Sequence, residues 1–326
     1  MKIKSFNIDG LYDTFSIQAN LNENVNVIVG NNGSFKTTLI KLLRMIVNDE
    51  EIVNLYPLKT AVVTLFPQNI SLLYRQLKGN VGDIYDRVQK DSSLNDVADS
   101  LAKMMSRQNS ADNSIIVAVE QRGCKYKGEN IAKEKIKKDL LVDFISTFDV
   151  KGGNEKESLL DSQLEKLKSE YSYYLSDLAK QMTDIIEKEG SISKEQLAQI
   201  NGQKNLMISF VNKAFASMGK RLKPDNSKLT FVLKNGEDIS IEKLSAGEKQ
   251  LLIIFLTVLL ERNKEYVVLM DEPEISLHIE WQYNLIEMLT QLNPSAQFIL
   301  TTHSPSIFAA GWGDKIIYME DILSEI

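Results

Sequence analysis

Val25-Asn26-Val27-Ile28-Val29-Gly30-Asn31-Asn32-Gly33-Ser34-Phe35-Lys36-Thr37-Thr38 is the stretch on which the reading of this chain turns. An apolar, strand-like run from Val25 to Val29 feeds a glycine-bearing loop. The loop opens a helical pattern of Leu39, Leu42, Leu43 and Ile46. A phosphate cradle needs that order of strand, loop and helix. Glycines let backbone N–H groups turn toward phosphate, a lysine reaches the β and γ oxygens, and the next hydroxyl takes Mg²⁺. The candidates for holding a triphosphate are therefore Gly30, Asn31, Asn32, Gly33, Ser34, Phe35, Lys36, Thr37 and Thr38, with Thr37 on the metal. Phe35 stands where G-x-x-x-x-G-K-[ST] has its second glycine, and a side chain there strains the loop or crowds the phosphates. The same spelling also suits an ordinary glycine-rich turn.

Three later segments bear on that choice. Tyr266-Val267-Val268-Leu269-Met270-Asp271-Glu272-Pro273 is an apolar run ending in two carboxylates. It suits a buried parallel strand that delivers Asp271 to Mg²⁺ and Glu272 to an attacking water, and equally a core strand ending in solvated acids. Leu244-Ser245-Ala246-Gly247-Glu248-Lys249-Gln250 precedes the apolar run Leu251 to Leu260. Ser245 and Glu248 have capping-box spacing, so a helix should begin at Ser245 with a phosphate-attracting end, while Gly247 permits close approach of another backbone. Gln297-Phe298-Ile299-Leu300-Thr301-Thr302-His303-Ser304-Pro305 reads as a buried strand with His303, one of two histidines, just past its end. A histidine at the same sheet edge as Lys36 and Glu272 can hydrogen-bond a γ-phosphate or the hydrolytic water.

In this order the four segments resemble the ATP-binding-cassette superfamily. Lys36 lies in its Walker A loop, Leu244 to Gln250 match its signature, Asp271 and Glu272 its Walker B pair, and His303 its switch histidine. The wording Asp271-Glu272-Pro273-Glu274-Ile275-Ser276-Leu277-His278 with Thr301-Thr302-His303-Ser304-Pro305 is similar to the soluble OLD-like and RecF/SMC-like ATPases, which include ATPase subunits of bacterial anti-phage systems. The resemblance covers residues 1 to about 48 and 226 to 310; Ala246, Glu248 and Lys249 depart from the LSGGQ signature. It implies an α/β fold: an ABC-type ATPase head of β-ribbon and mostly parallel sheet flanked by helices, with a helical insertion. It also implies a glutamine between Mg²⁺ and water, for which Gln68 is the candidate and a plain turn residue the alternative. Tyr12 is the nearest fit to the expected adenine-stacking aromatic, or else a packing residue of the first β-ribbon.

The expected organisation is a nucleotide-binding core in two parts, residues 1–78 and 226–326, around a mainly helical insertion at 79–225. Residues 71 to 112 read as helical, 114 to 127 as a hairpin around Arg122-Gly123, and 131 to 149 as helix again, broken at Lys151-Gly152-Gly153-Asn154. Leu160, Leu164, Leu167, Tyr171, Tyr174, Leu178 and Ile185 form one stripe of a long helix that Gly190 and Ser191 end. A second helix, about Lys194 to Met218, either folds back as an antiparallel arm or joins a compact lobe, in both cases a docking surface for a partner. After Pro224 the Asn235-Gly236 pair between alternating runs signals a hairpin.

With 326 residues, one cysteine and no apolar run of membrane-spanning length, the composition suits a cytoplasmic enzyme without internal disulfides. Met1 to Phe6 starts with strand alternation and no secretory core. A net charge of −6 does not advertise nucleic-acid binding. Two basic clusters keep that partner open: Lys125, Lys127, Lys133, Lys135, Lys137 and Lys138, and Lys220, Arg221 and Lys223.

The mechanism implied by the resemblance is ATP- and Mg²⁺-dependent homodimerisation, head to tail, with Glu272 and His303 catalytic. Ser245, Gly247 and Glu248 of one copy would then complete the other's site. Phe35 leaves a slowed turnover open. Only 23 residues follow His303, too few for the Toprim nuclease domain of full OLD proteins, so a separate effector or nuclease is the expected partner. The competing readings are a transporter subunit, a RecF-like DNA-repair ATPase, and a low-turnover ATP-clamped scaffold.

Overall fold

The computed structural model describes residues 1–52, 55–80, 84–86, 88, 116–127, 129–132, 134–146, 159–223 and 229–326. They form two compact units, Met1–Val142 with Ile317–Ile326, and Asp143–Ile316.

The first unit is built on an antiparallel sheet. Its elements are β1 (Lys2–Leu11), β2 (Phe15–Asn20), β3 (Val25–Val29), α1 (Lys36–Asn48), β4 (Thr60–Phe66), β5 (Ile70–Asn80), β6 (Ile116–Tyr126), β7 (Glu129–Asn130) and the short α2 (Glu134–Lys137). The sheet order is the C-terminal strand Leu323–Glu325, then β2, β1, β4, β5, β6 and β7. Alternation explains its faces: Phe6 and Ile8 of β1 and Ala61, Val63 and Leu65 of β4 are buried. Helix α1 places Leu39, Leu42, Leu43 and Ile46 on its buried side and packs on β4 and β5.

Two sequence expectations are corrected here. Residues 71–80, the start of the stretch read as helical, belong to β5, in which Ile70, Leu72 and Tyr74 are buried at the strand period of two. Arg122-Gly123 is not a turn. β6 runs straight through it, with Tyr74 opposite Arg122 and Leu73 opposite Gly123, because β5 offers a hydrogen-bonding partner along the whole strand. Most of the remaining 81–115 segment, the Lys151–Asn154 break, Lys133 and Pro224 lie outside the described residues.

The second unit begins at Asp143, inside β8 (Val142–Ser146), in the stretch expected to be helix from 131 to 149, where among the described residues only Glu134–Lys137 is helical. There follow α3 (Leu159–Glu189), α4 (Lys194–Phe215), β9 (Lys220–Leu222), β10 (Phe231–Leu233), β11 (Asp238–Ile239), α5 (Ala246–Leu260), β12 (Val267–Asp271), α6 (Ile279–Leu292), β13 (Gln297–Thr302) and α7 (Pro305–Phe308). β12 and β13 are parallel, Val267 pairing with Gln297 through to Asp271 with Thr301, and both are buried along their whole length. α6 joins them as the crossover of a βαβ unit. The Asn235-Gly236 turn forms as read, Gly236 taking φ 89° and the Leu233 amide donating to Glu237 O.

α3 and α4 are an antiparallel pair joined across Gly190–Ser193, and Ser193 caps α4 in a reciprocal box with Gln196. Leu164, Tyr171, Tyr174 and Leu178 of the predicted stripe are buried. Beyond them α3 has no buried side chain. The base of the pair is therefore a packed lobe against α5, pinned by Asp161 to Lys249 and Asp177 to Arg262, both at 2.6 Å, while the far half is an exposed arm. α5 itself is apolar on all sides and almost wholly buried, as a central core helix must be.

Candidate functional site

The loop after β3 is built as the sequence suggested. Lys36 opens α1, is 4% exposed, and donates from Nζ to Gly30 O at 3.0 Å and Asn31 O at 3.1 Å, which folds the ammonium back over the loop. Asn31, Asn32 and Gly33 are exposed, and Thr37 and Thr38 sit half-buried in the first helical turn. Phe35 is the residue before the helix and has φ 66°, the left-handed region that glycine occupies at no steric cost. Its ring lies 4.9 Å from that of Phe15 and 5.8 Å from that of Tyr12, between centroids. Aromatic packing thus offsets the strain of the backbone, and the loop keeps its glycine-like shape with a phenylalanine in it. Gln68 is exposed in the turn between β4 and β5.

In the second unit the carboxylates gather at the C-terminal ends of β12 and β13. Asp271, fully buried, accepts from Thr301 Oγ1 at 2.7 Å. Glu272 has φ 46°, its amide donates to Thr301 O at 3.0 Å, and its Oε1 lies 3.3 Å from His303 Nε2. The side chains of Glu272 and His303 are both partly exposed, so the pair is held by the sheet and open to a reactant.

Glu274 is the residue to which sequence reasoning assigned no role. Its Oε1 accepts from Thr302 Oγ1 at 2.5 Å, from the His303 amide at 3.1 Å and from the Ser304 amide at 3.3 Å. It therefore fixes the backbone from which His303 projects. Burial, more than any other influence, pushes the Glu274 carboxyl up, with Glu272 adding to the rise; hydrogen bonds from Thr302 and His303 pull it back in part. The clue in the sequence is a third acid two residues after the Asp-Glu pair. His278, the other histidine, caps α6 and is exposed.

Ser245 caps α5 as its spacing predicted, accepting from the Glu248 amide at 3.3 Å while Glu248 accepts from the Ser245 amide at 2.7 Å. Glu248 is fully buried, and Lys220 donates to both its oxygens at 2.7 and 2.8 Å. With Lys223 paired to Asp238, two of the three cations in the second basic cluster are committed within the fold. Gly247 does admit another backbone: a Cβ there would stand 2.2 Å from Ser276 O.

Each unit carries groups whose chemistry suits a Mg²⁺-bound triphosphate. Ser34 Oγ is buried in the loop with no hydrogen-bond partner among the described residues, beside amides in exposed backbone. Thr37 and Gln68 in the first unit, and Asp271 in the second, each carry an oxygen of the hard kind that Mg²⁺ takes. No helix among the described residues is long and apolar enough to cross a membrane.

A lysine-bearing loop opening a helix, strand-end carboxylates and a histidine on the next strand define an ABC-type ATPase head. The family described as "AAA domain, putative AbiEii toxin, Type IV TA system" matches residues 84–309, and the chain belongs to that family. It is 35% identical over 102 residues to the Retron Vc95 probable ATPase of Vibrio cholerae serotype O1 biovar El Tor, covering 28% of this chain and 20% of that one. It is 30% identical over 109 residues to the Septu protein PtuA of Bacillus thuringiensis, covering 29% and 27%. The matches thus span about a fifth to a quarter of those relatives' length. Among solved structures, the SmcHead bound to the C-winged helix domain of ScpA aligns with TM-score 0.51 at 14% identity, over 100% of this chain and 97% of that one. That likeness establishes the fold.

Proposed function

We infer that the chain binds and hydrolyses ATP with Mg²⁺, and that two copies close head to tail around the nucleotide to control a separate effector or nuclease in anti-phage defence. The observation that carries the enzymatic part is the Glu272–His303 pair, 3.3 Å apart at the buried end of two parallel strands with Asp271 beside it. Bound Mg²⁺ would neutralise developing phosphate charge. The roles proposed for the chain are binding of β- and γ-phosphate oxygens by Lys36 and the amides of residues 30–38, and metal ligation by Thr37, Asp271 and Gln68. Glu272 orients and deprotonates water, and His303 holds the γ-phosphate or that water by hydrogen bond. Ser245 and Gly247, at the N-terminal end of α5, are proposed to meet the nucleotide of the second copy. The retron and Septu relatives support the ATPase and defence parts of this reading.

The test uses phosphate release and light scattering together. Lys36→Ala should abolish nucleotide binding, and Glu272→Gln should bind ATP, release no phosphate and double in mass when ATP is added. An ATP-bound Glu272→Gln protein that stays at monomer mass refutes the dimer. Unchanged affinity in Lys36→Ala refutes the loop assignment. ATP-dependent DNA binding at physiological salt, with no effect of Lys36→Ala on phage plating, would favour the RecF-like DNA-repair reading.

A further inference from the structure

A cavity of about 320 Å³ lies in the second unit at the base of the arm, between β8, α3 and the C-terminal end of α5. Its polar wall is acidic: Asp143 from β8, Glu170 from α3 and Glu261 immediately after α5 all line it, with the Tyr266 phenol. Lys166 is the one cation on the wall, it is 79% exposed, and its ammonium is 3.7 Å from Glu170. The remaining wall is mixed: Leu167, Ile253 and Leu260 form its apolar part, with Gln163 and Thr257 beside them.

Glu261 is the anomalous group. It is 2% exposed; Oε2 accepts from Asn293 Nδ2 at 2.7 Å, but Oε1 is buried with no hydrogen-bond partner among the described residues. An acid so enclosed is costly unless something pairs with it. The field in the cavity tells the same story. Burial first, then the charges of Asp143, Glu261 and Glu170, push the Tyr266 phenol up, and burial with Glu170 pushes Asp143 up. No part of the unit's mechanism uses these groups.

We propose that this cavity binds an aliphatic diamine, its ammonium ends taken by Glu261 and by Asp143 with Glu170, and its methylene chain lying on Leu167, Ile253 and Leu260. A single metal ion fits less well, because no group of three acidic, histidine or cysteine side chains among the described residues is arranged to hold one. Carboxylates spread around a mixed wall with an apolar strip of Leu167, Ile253 and Leu260 match two charges separated by a short hydrocarbon chain. The volume is at the small end of ligand pockets, which suits a ligand of this size. The inference is independent of the ATPase assignment.

Isothermal titration of the nucleotide-free full chain with 1,4-diaminobutane at physiological salt tests it, with 1,4-butanediol as the neutral control. Glu261 holds its proton up to about 9, so diamine binding at neutral pH should expel that proton. Titrations in buffers of different ionisation enthalpy will read the release. The expected result is saturable binding of one diamine per chain with release of close to one proton and no response to the diol. Glu261→Gln, close in shape, should fold, weaken binding about tenfold or more and remove the proton release; Asp143→Asn should weaken binding but keep the release. Absence of saturable diamine binding, equal binding of the diol, or unchanged affinity and proton release in Glu261→Gln would each overturn the proposal.

Discussion

Replacing Glu274 separates a positioning role from a packing one. In Glu274→Ala the Thr302 hydroxyl and the His303 amide lose their acceptor, whereas the Ser304 amide keeps Thr302 Oγ1 at 2.9 Å. Two donors that lose this acceptor, at roughly 1–3 kcal/mol each, put the loss of stability at about 2–6 kcal/mol. Glu274→Gln retains a carbonyl oxygen for the same donors. It gives up the ionic strengthening of those bonds but relieves the burial of a charge, so its cost should be about 1 kcal/mol or less. Urea denaturation at neutral pH reads both variants. Phosphate release on the folded fraction should fall at least tenfold in Glu274→Ala, about 1.4 kcal/mol in the barrier, and stay within a few fold of the parent in Glu274→Gln. Equal stabilities for the two variants, or full turnover in a folded Glu274→Ala, would refute the claim that this carboxylate sets the orientation of His303.

Glu261 should impose a pH dependence on stability. Its carboxyl titrates near 4.5 when unfolded and at about 9 when folded, so the stability its protonated form supplies is complete below 4.5 and drains as pH rises toward 9. Asp143, Glu170, Lys166 and Tyr266 face it. Relative to the parent, Glu261→Gln should gain about 3 kcal/mol between pH 4.5 and pH 7, and a difference that does not vary with pH would contradict this. Gly247→Ala places a methyl against Ser276 O, so it should destabilise by about 3 kcal/mol in chemical denaturation despite alanine's higher helix propensity; a stabilised variant would show that the carbonyl yields. Phe35→Gly relieves the left-handed strain but removes the ring from Tyr12 and Phe15. Thermal denaturation should show a net loss of about 1 kcal/mol, and a stabilised protein would mean the aromatic cluster contributes nothing.

What the sequence made legible was local chemistry with a strong period or a reciprocal partner. The run Val25 to Val29 into α1, the capped start of α5 and the Asn235-Gly236 turn each carry their geometry within a few residues. β5 was misread as helix, and β6 as two strands with a turn, for the opposite reason. Their strand character depends on each other across a long stretch of chain, and Arg122-Gly123 looks like a turn until Leu73 and Tyr74 supply its partner strand. Glu274 and Glu261 were illegible in role because both are defined by what surrounds them: three donors converging on one oxygen, and an oxygen with none among the described residues.

The attachment of the arm gives it leverage. α3 is packed as far as Leu178, so its free stretch to Glu189 is about 16 Å at 1.5 Å per residue, and a bend of about 10° where the packing ends would move the tip by about 3 Å. That root is fastened by Asp161 to Lys249, in the first turn of the very helix whose capped end carries Ser245 and Gly247. A shift at that terminus would thus act on the base of the pair first, and reach the exposed tip through it.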